Sequence, residues 1–183
     1  MFLFSGCQNK SSNKKYIQYV DPFIGTDYNG HTYPAATTPF GMVQVGPDNN
    51  MRGWEYCSGY RSKSKTIMGF SHTHLSGTGC GDIGDILFMP VVGKVSFSSG
   101  KEEDSSTGYR STFDYDSEKA SPGYYCVMLN DYHIFAEMTA TPRVGFHQYT
   151  YPENKNSGVI IDMAHGIGDS TTESYLKVID NKT

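Results

Sequence analysis

The chain has a single tryptophan, four cysteines and no sustained apolar run, and each shortage narrows what it can be. No stretch approaches the roughly 20 apolar residues a membrane-spanning helix needs. Beyond Cys7, the cysteines at 57, 80 and 126 are odd in number and lack CxxC spacing, so neither a zinc site nor a complete disulfide framework is indicated. A single bridge among them is left open. Basic charge is also scarce. The formal net charge is −4, and no basic run could follow a phosphate backbone, so nucleic acid is not an expected partner. Long amphipathic stretches and internal repeats are missing as well. At 183 residues the chain is one domain or a piece of one.

What is abundant points to strands and turns. Fourteen tyrosines, ten phenylalanines and twenty glycines favour pleated surfaces punctuated by turns. Extended pieces are expected near residues 42–45, 54–60, 66–75 and 83–92, with Pro90 marking a bulge or an end in the most apolar of them. Four short runs then follow at regular spacing, 123–129, 132–139, 144–150 and 157–162, separated by turn chemistry such as Asn130-Asp131 and Pro142-Arg143. That rhythm predicts an all-β antiparallel sandwich or barrel. Residues 175–183 read as a last strand with no closing element, so the sandwich is expected to be incomplete. At the other end, Cys7 closes the run MFLFSGC ahead of a polar tether. Residues 1–15 therefore resemble the remnant of a bacterial lipoprotein signal, with Cys7 lipidated and the membrane met only through that anchor. The expected domain is 16–183.

One segment carries unusual chemistry. Residues 69–85, GFSHTHLSGTGCGDIGD, hold two histidines, four hydroxyls, two carboxylates and five glycines. If 70–75 is extended, the period of two places Phe70, His72 and His74 on one face. A metal role for the two imidazoles would need further ligands, and only Cys80, Asp82 and Asp85 are near in sequence. Structural hydrogen bonding, or contact with a sugar or a neighbouring domain, are the other readings. Asp82 and Asp85 are expected to cap the turn or bond to the His-Thr-His strand. No neighbour in the sequence would raise one of their pKa values into the range of a catalytic acid. Glu137 is expected to pair with Arg143 or to face a neighbouring domain. Trp54 stands in a polar context, RGWEY; its ring face suits the C–H patch of a pyranose while its N–H can donate. His31, in the loop GHTYPAA, is a candidate pocket residue.

Six ordered segments together resemble the N-terminal domain of glycoside hydrolase family 92, the calcium-dependent exo-acting α-mannosidases: VDPFIGT at 20–26, GHTYPAA at 30–36, TPFGMV at 38–43, CSGY at 57–60, GFSHTHLSGTG at 69–79 and AEMTATPRVGFH at 136–147. The resemblance implies a β-sandwich packed on an (α/α)6 helical domain, with an inverting active site at their junction. It also implies that the acid, the base and most calcium ligands lie in the helical domain. On that reading the chain contains no catalytic residue. It supplies sugar contacts from Trp54, His72, His74 and His31 for α-mannoside glycans, in a periplasmic, outer-membrane or secreted protein. The alternative from the residues is an independent carbohydrate-binding module.

Overall fold

The computed structural model describes residues 16–153 and 156–180; the lipidation expectation at Cys7 and the whole 1–15 tether lie outside that range. Eleven strands follow in chain order: β1 (Ala36–Thr37), β2 (Gln44–Asp48), β3 (Thr66–Ile67), β4 (Gly69–Ser71), β5 (Leu87–Val92), β6 (Ser111–Thr112), β7 (Lys119–Ser121), β8 (Tyr124–Leu129), β9 (Ile134–Ala140), β10 (Gly145–Thr150) and β11 (Ser157–Asp162). They build a five-stranded sheet, β1-β2-β4-β5-β11, and a four-stranded sheet, β10-β9-β8-β7, with β3 and β6 paired apart. Every pairing is antiparallel.

The core lies between the two larger sheets. Val45, Phe70, Leu87 and Met89 come from one, and Tyr125, Val127, Leu129, Ile134, Ala136 and Met138 from the other. Alternation explains the second group: β9 buries Ile134, Ala136 and Met138 and turns Phe135 and Glu137 outward. Phe70 bridges the layers, its ring centroid 6.3 Å from those of Tyr125 on β8 and Tyr149 on β10.

Three local expectations fail for identifiable reasons. Residues 54–56 form a short 3-10 turn and not a strand, because Gly53 enters with φ +106° and Tyr56 N–H closes back on Gly53 C=O. Pro90 neither bulges nor ends β5: the register with β11 runs unbroken through Val159, and β4 pairs β5 only at Phe88, so beyond that point the other edge asks no N–H of it. Residues 175–180 form no strand. Tyr175, Leu176, Val178 and Ile179 stay exposed.

Candidate functional site

The expected face of Phe70, His72 and His74 does not form. Strand β4 stops at Ser71, and Thr73 explains why: its hydroxyl accepts the N–H groups of Gly84 and Asp85, at 3.2 and 2.9 Å, which pulls the chain into the glycine-rich loop. Asp85 Oδ2 in turn accepts from the Thr73 hydroxyl at 3.4 Å, and Asp82 Oδ1 accepts the N–H of Ile83, so both carboxylates hold the turn. Beyond the strand end the two imidazoles part. His74 turns back under Ser71, whose hydroxyl lies 3.2 Å from His74 Nε2.

His74 is therefore an interior residue, which corrects the expectation that it contacts a sugar. Its side chain is fully enclosed, with Nε2 2.8 Å from Asp48 Oδ1 and Nδ1 2.8 Å from the Gln44 carbonyl. Both ring nitrogens thus face oxygen atoms. Across the same carboxylate, His165 Nε2 donates to Asp48 Oδ2 at 2.9 Å, also fully enclosed, and His165 Nδ1 is buried without a partner. Burial alone would push the Asp48 carboxyl up; His74 and His165 outweigh it and hold the group below the usual carboxylate range. Gly59 makes room for this cluster. Its φ is +79°, and a Cβ there would fall 2.1 Å from Asp48 Oδ1.

His72 goes elsewhere. Its ring meets Phe88 edge-on at 5.1 Å and lies 4.8 Å from the ring of His147 on β10. The two Nε2 atoms are 3.1 Å apart, His72 Nδ1 is 3.1 Å from the Ile86 carbonyl, and His147 Nδ1 is 2.7 Å from the Tyr149 hydroxyl. Burial, aided by His72, lowers His147 to about 4, and burial also lowers His72. Glu137 does not pair with Arg143. It accepts from the Tyr124 hydroxyl at 2.6 Å and the Gln148 amide at 3.4 Å.

Trp54 and His31 come together. The His31 ring is buried beneath the indole, edge-on at 4.7 Å, and is fixed by Nδ1–H donating to the Thr78 carbonyl at 2.6 Å. Its Nε2 has no partner among the described residues. His31 thus supports Trp54 from below, where a pocket-lining side chain had been expected. Trp54 itself is 57% exposed. Its N–H is engaged by Asn29 Oδ1 at 2.7 Å, so the ring face, and not the N–H, is what it offers. Beside it opens a cleft of about 430 Å³, lined also by Met51, Arg52, Cys57, Cys80 and Ile167. The far wall is secured by Ile167 N–H to Ile83 C=O, Gly168 N–H to Met51 C=O, and the Arg52 guanidinium on the Asp169 carbonyl. Cys57, Cys80 and Cys126 are free thiols.

Asn29, Asp48, His147 and His165 were not anticipated. Asp48 sits in PDNN and reads as turn chemistry, while His147 lies 75 residues from His72 and His165 lies 117 residues from Asp48. Only the odd placement of a carboxylate at the end of an apolar strand could have flagged Asp48. Among the described residues no three His, Cys, Asp or Glu side chains are grouped to hold one ion. Calcium wants six to eight oxygen ligands, so these residues do not fit it.

An antiparallel sandwich with an exposed aromatic beside a cleft defines a fold class and leaves the function to be read from relatives. The comparisons name the family. Residues 19–183 match the model for the glycosyl hydrolase family 92 N-terminal domain, and the chain belongs to that family. The family GH92 α-mannosidase BT3965 from Bacteroides thetaiotaomicron, solved also in complex with mannoimidazole, is 48% identical with a TM-score of 0.84, over 86% of this chain and 21% of that one. The inverting mannosidase BT2199 from the same species is 26% identical with a TM-score of 0.64, over 80% of this chain and 19% of that one. An uncharacterized secreted glycosidase of Arthroderma benhamiae is 34% identical over 145 residues, 75% of this chain and 18% of its own length. The chain spans about a fifth of the length of these relatives.

Proposed function

We propose that this chain is the N-terminal part of an inverting exo-α-mannosidase that hydrolyses α-mannosidic bonds in glycans, and that it contributes one wall of the active site. The observation that carries the reading is the exposed indole of Trp54, held from below by His31 and tied by Asn29, at the mouth of a cleft within a family 92 domain. A rigid aromatic face packs against the apolar C–H groups of a pyranose, and the polar backbone around it orients hydroxyls. On this reading Trp54 contacts the sugar and His31 positions its ring.

Inversion needs one carboxylic acid to protonate the leaving oxygen and one carboxylate to activate water on the opposite face, roughly 6.5–9.5 Å away. Asp48 is committed to two histidines inside the core, and Asp82 and Asp85 to a turn. The family resemblance assigns both proton-transferring groups to an (α/α)6 domain of the same protein, together with the calcium site. The relative described as secreted and the run ending at Cys7 support a protein that is either secreted or lipid-anchored, in the periplasm or at the outer-membrane surface.

The test is stereochemical. The complete open reading frame is expressed, supplied with calcium and an α-mannoside, and the first-formed sugar is followed by proton NMR. Release of the β-anomer is expected; release of the α-anomer, or none, overturns the assignment.

A further inference from the structure

The imidazole of His165 enters the core from a segment with no regular structure. Strand β11 ends at Asp162, and residues 163–170 then cross to the loops that carry Trp54 and the glycine-rich turn. Among the described residues no strand pairs with this strap, yet Ile167 and Gly168 form the far wall of the Trp54 cleft. Its backbone makes two hydrogen bonds there, Ile167 N–H to the Ile83 carbonyl at 2.7 Å and Gly168 N–H to the Met51 carbonyl at 2.9 Å. Arg52 grips the outer end, at the Asp169 carbonyl and the Ser170 hydroxyl, where water competes. Contacts of these kinds alone leave a loop free to open locally at low free-energy cost.

Two inward side chains supply what is missing. His165 Nε2–H donates to Asp48 Oδ2 at 2.9 Å with both side chains fully enclosed. A hydrogen bond to a carboxylate shielded from water is among the stronger ones. Ile167, 1% exposed, sits where a Cβ on Gly59, Gly84 or Gly81 would fall 2.7, 2.7 or 3.4 Å from its side chain. A Cβ on Gly59 would also fall 2.1 Å from Asp48 Oδ1, so one absent side chain makes room for both anchors.

Stability alone does not call for this imidazole. Asp48 Oδ1 already meets His74, and His165 buries an Nδ1 that has no protein partner among the described residues. Burying such a nitrogen costs free energy, and an apolar side chain would fill the space without that cost. What the imidazole adds is a fixed link between the strap and the sheet. We infer that His165 is a positioning residue of the Trp54 cleft: through Asp48 it latches residues 163–170 to the end of β2 and so sets where Ile167 and Gly168 stand relative to the indole. It acts through those two residues and touches no sugar. That the cleft holds a mannoside rests on the function proposed above; the latch itself does not.

Hydrogen exchange of the complete protein, read by mass spectrometry over residues 163–170 and over β9, tests the latch. H165L fills the space but gives Asp48 no donor. It should speed exchange over 163–170 at least about tenfold while β9 keeps its protection. H165Q, whose amide N–H can donate in place of the imidazole, should restore slow exchange. With an α-mannoside, H165L should raise KM about tenfold and leave kcat little changed, the pattern of a binding wall out of place. Unchanged exchange over 163–170 in folded H165L, or an equal rise over β9, would overturn the proposal. Faster exchange over 163–170 with KM unaltered upholds the latch and removes the cleft from the sugar's path instead. If H165L does not fold, the unmodified protein decides. Its Ile167 and Gly168 amides should be protected to within about tenfold of those of β9, and exchange through a separate, easier local opening would overturn the latch.

Discussion

Three histidine environments in this chain do three different things, and each has its own measurable signature. At Asp48 the charge is sealed between His74 and His165, so removing it strands buried donors. D48N is expected to lower unfolding free energy by about 3–5 kcal/mol, as when one partner of a buried pair is lost, measured by urea denaturation. Asp48 is held below its ordinary range in the fold. Its stabilisation is therefore complete above the unfolded value near 4 and is lost as pH falls beneath it. His147 has the same sign in a higher window. Its folded pKa of about 4 is depressed from 6.5 by burial and by His72, so between those values the unfolded chain binds a proton that the folded chain refuses. The melting temperature should fall as pH drops from about 6.5 to about 4, and H147Q should make that slope shallower. Trp54 is tested in the complete enzyme. Removing its ring as W54A should raise KM for an α-mannoside roughly tenfold, on the scale of one aromatic contact, and an unchanged KM would remove the indole from the sugar's path.

At the scale of elements, Phe70 is the tie between sheets. It is fully buried on β4 and approaches tyrosines of β8 and β10, so F70A should cost about 3–5 kcal/mol by denaturant titration. Strands β8 to β11 were legible because alternation and Asn-Asp or Pro-Arg turns agree locally. The His-Thr-His segment was misread by the same rule. Alternation assumes the strand continues, whereas a single threonine hydroxyl accepting two loop N–H groups ends it at Ser71. Trp54 was visible as a lone tryptophan in a polar setting, but its partners Asn29 and His31 lie 25 and 23 residues away, and only folding brings them beneath it. Asp48 was hidden because proline and asparagine around it look like a turn, and His165 meets it from 117 residues along the chain.

On the scale of the whole molecule, the chain's proposed role is one wall of an active site. Its one exposed tryptophan faces a cleft built by loops, and its carboxylates near that cleft are occupied with structure. Relatives about five times as long have room for the groups it does not supply. The most direct measurement compares hydrolysis of an α-mannoside, with calcium, by the 183-residue chain alone and by the complete open reading frame. Turnover by the longer protein only is what this account predicts. Turnover by the short chain alone would contradict it.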